Sequence, residues 1–279
     1  MKKKGLTDST IRNRSYNLNK LLDLGADLTN PESIETILAT ENLGKPYKKA
    51  LANAYKAYAE YIGITWKKPK ITVTPKEVFL PTDEEVTQLI AGAGKTTRTL
   101  LQLIYETAPR IGEASQIEWT DINFKDKTLS INHAEKGSNN RTLPISDLLI
   151  SMLHAMKKRK NNLIFNPNVK TLSSSLDKSR TRVTKELNNP RIQKIHFHTL
   201  RHLRATKEFY KTKDIMHVKY FLGHKAISST QRYIHYTPFQ KDEYHCSTAH
   251  NTEEAINLIE NGFEYITEMN GTKLFRKRK

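Results

Sequence analysis

The sequence predicts a mainly α chain with a small antiparallel β-sheet, divided into a helical N-terminal domain and a larger C-terminal domain. Three observations carry that expectation. Apolar residues recur at helical spacing over 8–24, 46–63, 81–90, 99–108, 146–159 and 172–187. The stretch 119–145 instead alternates apolar and polar residues around two turn clusters, 125–127 and 136–140, as a three-stranded meander would. Between them, residues 63–80 lose helical periodicity and gain Pro69, Pro75, β-branched residues and a run of lysines. The expected division is therefore 1–62 helical, 63–80 an extended basic linker, 81–244 the second domain and 245–279 a tail.

The first helix, over 8–24, places Ile11, Leu18, Leu21 and Leu22 on one face, with Arg12, Arg14 and Lys20 off it. Gly25 ends it, and Pro31 suits the first position of a short second helix. The third is the clearest: Tyr47, Leu51, Ala54, Tyr55, Tyr58 and Ile62 form a stripe that reads as a small helical core rather than a base-stacking surface. Lys45, Lys48 and Lys49 beside it, with Lys67 and Lys68 in the linker, are the candidate phosphate contacts of this half.

The second domain opens with Thr82 and Glu85 at capping-box spacing, followed by Val86, Leu89 and Ile90 as a buried stripe. A helix over 99–108 leads into Pro109-Arg110-Ile111-Gly112-Glu113-Ala114, where a carboxylate one turn from an arginine can fix its guanidinium. After the meander, the helix over 172–187 carries Lys178, Arg180, Arg182 and Lys185 as a basic side, a candidate surface for a polyanionic partner. The tail reads as a short amphipathic helix over 253–262 and a hairpin turning at Asn270-Gly271, with a basic end.

Composition narrows the function classes. Lys and Arg total 46 against 29 Asp and Glu, a formal charge of +17 that points to a polyanionic partner, with nucleic acid first. No apolar run approaches the length of a membrane-spanning helix, so no membrane partner is expected. MKKKG lacks an apolar stretch behind its charges, and Cys246 is the single cysteine. Both suit a cytoplasmic protein without a disulfide framework.

The chemistry concentrates in residues 195–236. His198 and Arg201 stand in HTLR, His224 in LGH, and Tyr233 nine residues after it. Arginine is a permanently charged fork that can hold two phosphate oxygens, histidine can give or take a proton near neutral pH, and tyrosine supplies an oxygen nucleophile. His196, His198 and His202 would also prompt a metal reading. Their spacing fits no common zinc pattern and no Asp or Glu lies between 187 and 213, so neither a metal nor another cofactor is expected.

HxxR, then LGH, then Tyr resembles the C-terminal signature of the tyrosine recombinases, the phage-type integrases and Xer-like recombinases. The resemblance extends to APRIGEA, which is similar to the family's GARIGE box with Pro109 in place of a small residue. It covers residues 81–236 closely and 8–62 in outline, and the tail is similar to those of archaeal members. It implies an N-terminal core-binding domain, a C-terminal tyrosine-recombinase catalytic domain, and a site-specific recombinase that cuts and rejoins double-stranded DNA at attachment sites.

On that resemblance Tyr233 is the nucleophile that forms a 3′-phosphotyrosyl link. Arg110, Arg201 and His224 stabilise transition-state charge, with Glu113 supporting Arg110. His198 assists proton removal, and Lys136, in the turn before Gly137, protonates the leaving oxygen. Strand exchange implies a tetramer on two duplexes, and the resemblance suggests that the tail, residues 253–279, docks on a neighbouring protomer, with docking on its own domain as the alternative. A type IB topoisomerase-like or DNA-hairpin-forming enzyme would share this chemistry. A catalytically silent DNA-binding relative would lack covalent attachment, and the presence of all six residue types speaks against it.

Overall fold

Helices α1 (Asp8–Asp23), α2 (Pro31–Thr40) and α3 (Lys45–Ile62) build the first of two units, Met1–Glu77 and Val78–Lys279. The computed structural model describes residues 5–74, 78–135, 137–156, 162–231, 233, 244–269 and 271–278. Local chemistry sets the helix ends. Asn30 caps α2 by accepting from Glu32 N–H at 3.0 Å, with Pro31 as its first residue. Gly63 takes the left-handed conformation that stops α3. Leu21, Ile34, Leu51, Ala52 and Tyr55 form the core, and each such Leu or Ile contributes roughly 2 kcal/mol by leaving water. Leu22, expected on the inner face of α1, is exposed.

Part of the stretch read as an extended linker is folded onto this core. Ile64, Trp66 and Ile71 pack against it, with the Trp66 ring edge-on to Tyr55 at 4.8 Å and its Nε1 donating to Glu35 at 2.9 Å.

In the second unit α4 (Asp83–Gly92) begins with the expected capping box, Thr82 and Glu85 each bonding the other's backbone N–H. The next helix, α5 (Lys95–Thr107), has Leu100, Leu101, Leu103 and Ile104 all buried, because other helices cover it on several sides. After α6 (Ile111–Ser115) come β1 (Ile122–Asn123), β2 (Thr128–Ile131) and β3 (Arg141–Pro144), an antiparallel sheet in chain order. Leu129 pairs with Leu143, and Ile131 with Arg141. Helices α7 (Asp147–His154), α8 (Val169–Glu186), α9 (Phe197–Thr212), α10 (Ile215–Leu222) and α11 (Ser228–Gln231) complete the body. One core joins α4, α5 and α9 to the sheet, so the ends of α5, β3 and α10 are fixed relative to one another.

The tail differs from expectation. Its helix α12 (Thr252–Glu260) and hairpin β5 (Glu264–Met269) and β6 (Thr272–Arg278) are joined by β4 (Tyr244–Ala249), in the order β4-β6-β5. The helix packs on this sheet around Ala249, Ala255 and Phe275, a core separate from the main one. Among the described residues no helix is long and apolar enough to cross a membrane.

Candidate active site

The site begins where α5 stops. Ala108 closes that helix in the left-handed region at φ 47°, a conformation that costs a non-glycine residue about 1 kcal/mol. A buried arginine fixes it: Arg201 Nη1 donates to the Ala108 carbonyl. Pro109 then carries the chain to Arg110, which caps α6. Glu113 accepts from Arg110 N–H at 2.9 Å, from Arg110 Nη1 at 3.0 Å and from Arg141 Nη2 at 2.8 Å. Burial pushes the Glu113 carboxyl up. The Arg141 charge and hydrogen bond, the Arg110 N–H and the Arg201 charge outweigh that and hold it below its usual value. Glu113 is thus a buried carboxylate that stays charged.

Helix α9 supplies the second arginine. Its start is fixed by Arg180, whose Nη1 donates to the carbonyls of Gln193 and Ile195 and lies 2.5 Å from His196 Nδ1. One helical turn then separates His198 from Arg201 and His202. Arg201 is 1% exposed, and its Nη2 donates to the Leu222 carbonyl at 2.9 Å and contacts His224 Nε2 at 3.1 Å. Burial first, then Arg110, lower the Arg201 pKa to about 10, with Tyr233 and Glu113 acting the other way. Arg110, Arg141 and Arg201 face one carboxylate, so the site holds uncompensated positive charge in a poorly hydrated place. An anion is the natural complement.

The third contribution comes from the end of α10. Gly223 turns the chain at φ 68°, and a Cβ there would stand 2.6 Å from Arg141 Nη1 and 2.7 Å from the Asn139 carbonyl, so glycine is required twice over. His224 follows, with Nδ1 2.9 Å from Thr230 Oγ1. Tyr233 N–H donates to the Thr230 carbonyl at 3.0 Å. The Tyr233 ring is 2% exposed, 6.5 Å from the His224 ring and 5.5 Å from the His202 ring, which lies 4.3 Å from that of His198.

The fold therefore brings Arg110, Glu113, Arg201, His224 and Tyr233 together, with the exposed His198 at the rim beyond His202. Lys136 lies outside the described residues. Its turn is framed by Ser138 N–H bonding the Glu135 carbonyl at 3.0 Å and by Gly137 at φ 72°. Among the expected DNA contacts, Lys45, Lys49 and Lys67 are exposed and Lys48 is half-buried. Lys68 donates to Asn53 at 2.8 Å. Arg182 lies on the outer side of α8, bonded to the Gly92 carbonyl. Arg180 departs from expectation. It is buried and committed to the approach to α9, as a two-residue offset from Arg182 requires, since such residues do not share a helix face.

Arg141, Ser138 and His202 are site residues that the motifs did not yield. Arg141 had a signal. In RTLPI it stands two and four residues before Leu143 and Ile145, both buried, so strand alternation turns it inward.

The model of the phage integrase family matches residues 81–239, more than half of the chain. Tyrosine recombinase XerA of Pyrococcus furiosus is 28% identical over 272 residues, covering 92% of this chain and 91% of that protein. Tyrosine recombinase XerD of Staphylococcus haemolyticus is 30% identical over 251 residues, covering 80% and 77%. Among solved structures, the Tn1549 transposon integrase in complex with transposon right end DNA matches with a TM-score of 0.65 at 14% identity, covering 92% of this chain and 94% of that one. A lambda integrase dimer bound to a COC′ core site matches at 0.64 and 17%, covering 86% and 75%. These structural likenesses show a shared fold. The family match spans every residue assembled above from Arg110 to Tyr233, and the chain belongs to the phage integrase family, the tyrosine recombinases.

Proposed function

We propose that the protein is a site-specific DNA recombinase that cuts and rejoins strands through a 3′-phosphotyrosyl intermediate on Tyr233. The observation that carries this reading is the convergence of Arg110, Arg201, His224 and Tyr233 around one positively charged, largely buried centre. The Tyr233 oxygen attacks the scissile phosphorus, and its proton leaves with the help of His198. The bond from phosphorus to the 5′ oxygen breaks as Lys136 delivers a proton to that oxygen. Arg110, Arg201 and His224 hold the charge that builds on the non-bridging oxygens. A 5′-hydroxyl from a partner strand reverses the step, so one phosphodiester is exchanged for another and no external energy source is needed.

Tyr233 is enclosed in the free protein, so attack requires its ring to move toward the surface when DNA is bound. The exposed lysines of the first unit, Lys45, Lys49 and Lys67, and Arg182 on α8 serve the duplex backbone. Exchange between two duplexes needs four such sites, hence a tetramer. The outer face of α12, with Ile256 51% and Ile259 57% exposed, supports docking of the tail on a neighbouring protomer.

The test is incubation with suicide duplexes carrying candidate attachment sites. Covalent, site-restricted adducts are expected. Relaxation of plasmid without site preference would contradict the recombinase reading.

A further inference from the structure

Residues 132–140 join β2 to β3 and carry Lys136, the proton donor assigned above. Their described members are mostly exposed. A lysine on an exposed connection samples many rotamers and cannot deliver a proton to one oxygen unless the connection is held. Here it is held from both ends, and always on the same centre. At the tip, Ser138 Oγ accepts from Arg110 Nη1, and Glu135 N–H points to Glu113 Oε1 at 3.4 Å. At the base, Asn139 N–H donates to the Gly223 carbonyl at 2.8 Å, and Arg141, with no exposed side-chain surface, donates to Glu113 at 2.8 Å.

We propose that Arg141 and Ser138 are positioning residues for the leaving-group proton transfer: they lock the Lys136 turn onto the Arg110–Glu113 pair, so that proton donor and phosphate-binding guanidinium address the same phosphate. The inference rests on Lys136 being that donor. A buried ion pair is a poor device for stability alone, because apolar residues of the same volume serve as well. What Arg141 adds is direction. Its Nη1 occupies the space left by the missing Cβ of Gly223, and its Nη2 takes the Glu113 oxygen that also caps Arg110. Any rotation of the hairpin breaks one of these. Ser138 supplies the matching hold at the tip and is bonded to Arg110 itself.

The test uses the full-length protein and the suicide duplex on which the adduct forms, made in two versions. One has the normal scissile oxygen. The other has a 5′-bridging sulfur, which departs with the bonding electrons as a thiolate (thiol pKa about 8.5) and needs no proton. Arg141→Lys keeps the charge and loses the fork. It is expected to slow single-turnover cleavage of the oxygen duplex about 10²-fold and that of the sulfur duplex far less. Ser138→Ala, at a half-buried position without a buried charge, is expected to show the same pattern at about tenfold, and it decides alone if Arg141→Lys does not fold.

Equal losses on both duplexes, or no loss in Ser138→Ala, would overturn the proposal. Lys136→Ala serves as the reference. If sulfur fails to rescue it, Lys136 is not the donor and the underlying reading falls. If sulfur rescues Lys136→Ala but neither positioning variant, only the positioning inference falls.

Discussion

Arg201 Nη2 and His224 Nε2 lie 3.1 Å apart, and because a guanidinium only donates, Nε2 is the acceptor of that bond. On the other side of the ring, Nδ1 lies 2.9 Å from Thr230 Oγ1. Arg201 and Thr230 thus hold the two ring nitrogens of His224 from opposite sides.

Thr230→Val removes the hydroxyl while keeping the volume. The contact that orients the His224 ring from the Nδ1 side is lost, and cleavage should fall about fivefold for a loss of about 1 kcal/mol, with DNA affinity unchanged. Single-turnover rates and filter binding check this. An unaltered cleavage rate would show that the Thr230 contact does not orient His224.

Gly223→Ala should be far more damaging than its one carbon suggests. The left-handed backbone and the close approach of Arg141 and Asn139 each oppose a Cβ. A destabilisation of about 2–4 kcal/mol in urea unfolding is expected, with cleavage abolished.

Glu113 makes acid stability a readout of the site. Its folded pKa is lowered, so its contribution is complete above the unfolded value of 4.5 and is lost as pH falls through the lower folded value. Glu113→Gln should cost about 3–5 kcal/mol at pH 7, because Arg141 is left buried without its charge partner. Its melting temperature should also fall less steeply than the parent's below pH 4.5. A parallel fall in both proteins would place the acid-sensitive group elsewhere.

The tail has its own core of Ala249, Ala255 and Phe275, so a chain truncated after Tyr244 should keep the helical circular dichroism and melting of the body. It should bind a single site yet fail to assemble synaptic tetramers. Complete recombination by the truncated chain would remove the tail from assembly, and unfolding would mean that it docks on its own body.

Much of this architecture was legible because its signals are local. The Thr82–Glu85 capping box, the stripe of α3, the turn clusters of the meander and the one-turn spacing of His198 and Arg201 each fit in a short window. What stayed hidden depends on partners distant in sequence. Strand β4 has no apolar alternation and exists because β6 pairs with it, Ala249 opposite Lys273. Trp66 reads as linker until Tyr55 and Glu35 are placed beside it. Arg180 looks like a DNA contact because charge normally faces water, and the carbonyls of Gln193 and Ile195 together with the Asp177 carboxylate make its burial tolerable. Tyr233 is buried beside the His202 and His224 rings, which no motif spacing expresses.

The central claim is that Tyr233 is the nucleophile, and its rival is Tyr236, three residues on and outside the described residues. The direct measurement is peptide mapping of the covalent adduct trapped on a suicide duplex, with Tyr233→Phe and Tyr236→Phe run beside the parent. The nucleotide should be found on the peptide at Tyr233, Tyr233→Phe should bind the duplex without forming an adduct, and Tyr236→Phe should still cleave. A nucleotide mapped to Tyr236, or an adduct formed by Tyr233→Phe, would contradict the account.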